Sequence, residues 1–278
     1  MEKMRKIRPY KLLMGAFALV WAVITLYPLF FTFMCSFKNN DQIYNTMFAL
    51  PERFSFVNYK DALVRGNMLH AVINSFLFAA AATIVFLLCS IMASFVITRM
   101  KVKFGKYLQT LFAFGVMIPI YAALVPLAKI AATFHLSNNV YFVVLLFAAF
   151  QISISVFIIT AYMREISPEL DEAAIIDGCG PVRLLFQIIM PISTPAIATA
   201  GILGFLAVYN DLIFAVMFLT DKSLITISIG LMSFVGQFSS QLGPRFAAII
   251  ISVVPMIIVY MFLQDKVEQG ITAGAVKG

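Results

Sequence analysis

The sequence predicts an all-α integral membrane protein with six transmembrane helices and both termini on the cytoplasmic side. Three observations carry that prediction. Hydrophobic residues make up 62% of the 278 and charged residues only 12%, against about 25% charged in an average soluble chain, and the mean hydropathy is +0.96. Several windows approach or exceed the roughly 20 apolar residues needed to cross a bilayer. Lys and Arg fall as a topology demands, thirteen on the proposed inner side and seven outside. The net charge of +7 then calls for no nucleic acid, because the basic residues form no patch interleaved with aromatics.

The elements follow in order. Residues 1–11, with Lys3, Arg5, Lys6, Arg8 and Lys11, read as a cytoplasmic N-terminus. The apolar run after it, 12–37, is too long for a signal peptide and lacks a cleavage site, so it is the first span. Residues 38–70 form an external polar loop whose Phe54, Phe56 and Tyr59 suit a partly ordered interfacial position. The second span, 71–98, carries Ala79 to Ala82, Ser90, Ala93 and Ser94, small residues that let helices pack closely. Arg99, Lys101, Lys103 and Lys106 follow as an inside-facing cluster that needs no phosphate ligand.

The third span, 107–129, is interrupted by Pro119 and Pro126, both expected to kink it. In the fourth, 140–162, Gln151, Ser153 and Ser155 are polar at membrane depth and should face the bundle. The fifth, 196–219, contains Tyr209-Asn210-Asp211. Asp211 is the one carboxylate well within an apolar span, and it reads either as a functional acid or as one near the outer end of the span, solvated or hydrogen-bonded to a neighbouring helix. Residues 220–245 form the last external loop, the sixth span is 246–263 with Pro255 inside, and 264–278 is a cytoplasmic tail. The spans together make one membrane domain, 12–263, without repeats or a second soluble unit. Cys35, Cys89 and Cys179 form no CxxC pair and His70 and His135 stand alone, so no metal site is expected.

The chain is organised around the inside-facing stretch 165–195. Five of thirteen acids lie there: Glu165, Glu169, Asp171, Glu172 and Asp177. Ser167 can cap a helix that Pro168 begins, and three of the acids then sit at its positive dipole end. Leu170, Ala173 and Ala174 should share a face, Gly178 and Gly180 permit a tight turn, and a second helix from Pro181 should end near Pro191.

The string Glu172-Ala173-Ala174-x-x-Asp177-Gly178, with Phe186, Ile188 and Pro191 after it, resembles the EAA loop of binding-protein-dependent ABC import permeases, in particular the carbohydrate branch of the maltose/oligosaccharide type. Met190 stands where Leu is more usual. The segments SFKNN and LPERFSFVNYKDAL, and the ending ITAGAVKG, extend the likeness over nearly the whole chain. It implies the six-helix ABC importer permease fold in a bacterial or archaeal inner membrane. It also implies a second homologous permease, two ATPase subunits that bind ATP and Mg, and an extracytoplasmic sugar-binding protein. Glu172 would pair with a basic residue of the ATPase, Ala173 and Ala174 would fit its cleft, and Asp177-Gly178 would set the turn. The aromatic-Asn-acid triplet would lie near the translocation path, so Gln151, Tyr209, Asn210 and Asp211 are the candidate path residues.

No G-x-x-x-x-G-K-[ST] occurs, so the chain encodes no phosphate cradle of its own, and it is expected to be non-catalytic with no bound cofactor. The alternatives are a permease of the same fold for another solute such as glycerol phosphate, a secondary sugar carrier, or a membrane scaffold. The first finds no intramembrane Arg or Lys for an anion. The second would leave one buried acid and a purposeless EAA loop.

Overall fold

The computed structural model describes residues 9–100, 102–235 and 241–275, and among these every regular element is helical. The first half contains α1 (Pro9–Cys35), α2 (Asn40–Asn45), α3 (Val57–Val64), α4 (Met68–Thr98), α5 (Gly105–Met117), a 3₁₀ turn (Ile120–Ala123), α6 (Leu124–Thr133) and α7 (Val140–Met163). There follow α8 (Glu169–Ile176), α9 (Pro181–Arg183), a π turn (Leu184–Ile189), α10 (Met190–Ile192), α11 (Thr194–Tyr209) and α12 (Ile213–Phe218). A second 3₁₀ turn (Lys222–Leu224), α13 (Ile227–Met232) and α14 (Leu242–Ala275) complete them. Lys3, Arg5, Lys6, Arg8, Lys101, residues 236–240 of the last loop and residues 276–278 of the tail lie outside the described residues.

Among the described residues four helices are long and apolar enough to cross a membrane, and two bent pairs bring the number to six if each is one span. The expected first, second and fourth spans coincide with α1, α4 and α7 to within three residues. The third is corrected. Helix α5 and the helical run Ile120–Thr133 meet at 91°, because Ile118 before Pro119 is held extended at ψ 123°. Pro126 does not end the run: it is the third residue of α6, in the first turn, where proline is tolerated.

The fifth span is not continuous over 196–219 either. Helix α11 ends at Tyr209, three residues intervene, and α12 is a separate short helix. At its other end α11 makes a 77° bend with Pro181–Ile192. That run ends beside Pro191 as expected, but through an unexpected π turn. Pro191 offers no N–H to the carbonyl four residues back, and the wider turn takes up the misfit. The last span exceeds its expected end at 263: α14 continues to Ala275 over 34 residues, so the tail backbone is helical.

The chain divides into two compact units, Met1–Met68 with Leu231–Val254 and Leu69–Gly230 with Pro255–Gly278. In the first, the external loop is ordered around Phe37, whose ring meets Phe33, Phe54, Phe56 and Tyr59 at 5.1–5.5 Å. Lys38 beside it is fully buried, and its Nζ donates to the carbonyls of Thr46 (3.0 Å), Met47 (2.9 Å) and Ala49 (2.5 Å). A buried ammonium with all three protons placed on acceptors holds the turn after α2 closed. Helix α1 is different: none of its most apolar window is buried within the chain, and Trp21, 63% exposed, stacks on Phe17 at 6.3 Å.

In the second unit α7 is the central helix, packed against α5, α11 and α12. Gly204 of α11 lies against the ring of Phe86, where any side chain would collide. On its other side α7 meets α4 through side chains: the Ser90 and Ser94 hydroxyls donate to the carbonyls of Ile152 (3.3 Å) and Val156 (3.4 Å), and Thr160 donates to Ser94 Oγ (3.1 Å). Both residue numbers rise together along these contacts, so α4 and α7 run parallel.

Candidate functional site

Helix α8 forms as its sequence demands. Ser167 Oγ accepts from the Glu169 N–H at 3.3 Å, and the Pro168 carbonyl accepts from Asp171 (3.0 Å) and Glu172 (3.1 Å). The helix closes in a Schellman motif, with Cys179 N–H donating to the Ala174 carbonyl (2.9 Å) and Gly178 N–H to that of Ile175 (3.0 Å). Gly178 adopts φ +78°, the left-handed region that a side chain disfavours. Gly180, at φ −74°, is ordinary extended backbone, so one of the two expected turn glycines sets the turn.

The structure divides the Ala173-Ala174 pair. Ala174 is buried against Phe95, Ile159, Met163, Leu184 and Ile189, so its small size serves the chain's own core. Ala173 is exposed, as are Leu170, Ile175, Ile176, Val182 and Phe186. These residues give the helix and the turn after it an outward apolar surface, and Ile176 is 85% exposed. Glu169, Glu172 and Asp177 are also exposed. An outward face of apolar groups among carboxylates is suited to docking a partner that carries both a cleft and basic side chains.

Sequence reasoning placed Arg99 in an inside-facing basic cluster and gave it no partner. Instead its side chain is 7% exposed, and Nη1 lies 3.2 Å from Oδ2 of Asp171, itself 16% exposed. Nη2 donates to the carbonyls of Met163 and Ile166 at 2.9 Å each. Burial pushes the Asp171 carboxyl above its ordinary pKa; Arg99 draws it back in part, and Glu172 adds to the rise. The signal in the sequence was positional, since Ser90, Ser94 and Thr98 make a stripe along α4 that runs into Arg99.

The second candidate region is where the third and fifth spans break. Tyr209 is buried and stacks on Phe205 at 5.9 Å. Asn210 is exposed, and its side-chain amide donates to the Leu206 carbonyl (2.9 Å) while its backbone carbonyl accepts from Ser228 Oγ (3.1 Å). Asp211 Oδ1 accepts from the N–H groups of Phe214 (3.0 Å) and Ala215 (3.1 Å), capping α12. The acid is thus bonded to backbone three and four residues on, not to a neighbouring helix, and its other oxygen is uncommitted to the cap.

Gln151 is half-buried on α7 and linked to this break through its neighbour. Phe150 stacks on Phe214 at 5.1 Å, and Tyr121, from the 3₁₀ turn after Pro119, meets the same ring at 5.8 Å. The two broken spans therefore converge on Phe214. Sequence reasoning singled out none of these three rings, although Tyr121 follows the breaking proline by two residues and Phe214 follows the capping acid by three.

The family profile described as "Binding-protein-dependent transport system inner membrane component" matches residues 86–273. A permease protein of an ABC transporter from Caldicellulosiruptor sp. is 32% identical over 263 residues, 94% of this chain and 95% of that one. The diacetylchitobiose uptake system permease protein NgcG of Streptomyces coelicolor is 28% identical over 269 residues, 96% of this chain and 89% of that one. In structure the chain is similar to a chain of a bacterial ABC transporter involved in the import of the acidic polysaccharide alginate. That likeness has a TM-score of 0.79 at 20% identity and covers 95% of this chain and 99% of that one.

Proposed function

This chain belongs to the family of binding-protein-dependent transport system inner membrane components, and from that premise we propose that it is one of two pore-forming permease subunits of an ATP-driven sugar importer. It is a multi-pass, non-catalytic membrane protein. In this reading it sits in a bacterial or archaeal inner membrane with residues 1–11 and 264–278 inside. A second, homologous permease forms the other half of the pathway, two ATPase subunits hold ATP and Mg, and an extracytoplasmic binding protein delivers the sugar. The parallel run of α4 and α7 suits this topology, in which the second and fourth spans point the same way.

The observation that carries the proposal is α8, anchored inward by Ala174 and Asp171 while it presents Ala173, Ile176, Glu172 and Asp177 outward. Closure of the ATPase pair would push on that face, and the helices would rock as rigid bodies. Diacetylchitobiose and alginate, named for two similar proteins, are both rich in hydroxyl groups, and this supports a carbohydrate substrate. Along the path, Gln151, Asn210 and Asp211 offer hydrogen bonds beside the exposed ring of Tyr121, while Tyr209 supports the break from inside the core. The sugar crosses unmodified.

The test is uptake of a panel of labelled mono- and oligosaccharides, with ATP hydrolysis, by the complete complex in vesicles. Gly178→Asp, which adds a carboxylate at the negative end of α8 and on its docking side, is expected to abolish ATP-dependent uptake of one sugar class while the subunits still copurify. Uptake that survives this substitution, or that runs on an ion gradient without the ATPase, refutes the mechanism.

A further inference from the structure

Arg99 is the side chain on which α4, α7 and α8 meet. The hydroxyl contacts of Ser90 with Ile152 and of Ser94 with Val156 climb both helices one turn at a time, and the next step is Arg99 on the carbonyls of Met163 and Ile166. The Met163 carbonyl is the last of α7 and that of Ile166 lies three residues beyond it, at the end of the helix where the dipole is negative and a cation is favoured. The same guanidinium reaches Asp171 of α8. A planar fork with five donors can serve two carbonyls and a carboxylate at once, which an ammonium on a flexible stem does far less well. The polar attachment to α8 is narrow: Arg99 Nε and Asp171 Oδ1 are buried without partners, so one ion pair joins the helix to this ladder, beside the apolar packing of Ala174.

We propose that Arg99 is a positioning residue which, through Asp171, makes the inner ends of α4 and α7 move with α8 when a partner displaces it. The proposal rests on the reading of α8 as the ATPase contact, and it names the route by which force on that contact reaches two membrane helices together. Asp171→Asn removes the charge and leaves Arg99 bound to α7, so it loosens α8, leaving the packing of Ala174, without dismantling the α4–α7 ladder. Burial already works against the Asp171 charge, so this substitution is not expected to unfold the chain.

The experiment uses the complete complex in nanodiscs, with the chain's three cysteines replaced. Spin labels at Glu169→Cys on α8 and Met92→Cys, on the exposed side of α4, report the distance between the helices by double electron–electron resonance. Spectra are taken without nucleotide and after trapping with ATP and vanadate. With Asp171 intact the two distributions are expected to coincide, because both helices travel together. In Asp171→Asn they should separate or broaden by about 2 Å or more, the scale of helix shifts at moving interfaces, and Asp171→Glu should restore coincidence. Identical behaviour of Asp171→Asn and the native residue overturns the proposal, as does relative motion of the two labels in the native chain. A photo-crosslinker at Ile176 separates the two readings. Capture of the ATPase together with either overturning result leaves the proposed function standing and removes only the role of Arg99, whereas no capture removes both.

Discussion

Gly178 offers a prediction in which steric and conformational explanations part company. A Cβ built on this glycine meets nothing within 4 Å, so space does not require glycine there. Its φ of +78° does. For an L-residue the left-handed conformation costs roughly 1–2 kcal/mol, while Asn tolerates it better than most residues and β-branched residues tolerate it worst. The cost falls on the two hydrogen bonds that close α8, from Cys179 to Ala174 and from Gly178 to Ile175. Hydrogen exchange of the 168–182 peptide in the assembled complex reads it directly. Gly178→Ala should speed exchange of those amides by about 5- to 30-fold, the equivalent of 1–2 kcal/mol. Gly178→Asn should do so less and Gly178→Val more. Equal effects of Asn and Val, or an Ala substitution without effect, would show that the turn is not what makes glycine necessary.

Three further outcomes are expected. Ala174→Leu overpacks the core beneath α8 and should lower the thermal midpoint of the isolated chain, the usual cost being about 1–3 kcal/mol. Ala173→Leu should leave that midpoint alone and weaken copurification of the ATPase, and the reverse order would contradict the assignment of inward and outward faces. Lys38→Met strips the ammonium from three carbonyls and should cost about 1–3 kcal/mol in total, since water reaches the exposed stretch 46–49 once the ammonium is gone. Unchanged stability and protease resistance of the 38–50 segment would count against Lys38 as its organiser. Asp211→Asn keeps an oxygen for the N–H groups of Phe214 and Ala215 and should retain uptake, whereas Asp211→Ala should lose about 1 kcal/mol of local stability and much of the transport. Loss of uptake in Asp211→Asn, with the complex intact, would assign the charge itself to the path.

Where a span begins and ends was legible because lipid imposes it. Long apolar runs can satisfy their backbone only as helices, so α1, α4 and α7 could be drawn from composition alone. The caps and turn of α8 were legible for a similar reason: Ser167, Pro168 and Gly178 act through their own backbone. Breaks were harder. Pro119 and Pro126 look alike in sequence, and what separates them is that a helix happens to start at Leu124, which places Pro126 in a first turn. The π turn and the stop at Tyr209 arise from Pro191 and Asp211 acting within four residues of themselves, but a proline can also end or kink a helix and an acid can also sit within one, so neither residue type announces which outcome the chain takes.

Least legible among the described residues were two buried cations. Arg99 and Lys38 each follow an apolar run directly, and a count of positive charge treats such residues as markers of sidedness. Nothing local distinguishes a solvated lysine from one whose Nζ is surrounded by the carbonyls of residues eight to eleven positions on. The same holds for an arginine whose partners lie more than sixty positions away.

The single tryptophan of the chain is Trp21, exposed on α1, whose most apolar window the rest of the chain leaves uncovered. The protein therefore carries a built-in optical probe at one address. Tryptophan emission from the chain comes from α1 alone, and lipids with brominated tails should dim it strongly while the helix faces the bilayer. When a second subunit covers that side the dimming should weaken, and the progress of assembly can be followed by light without any added dye.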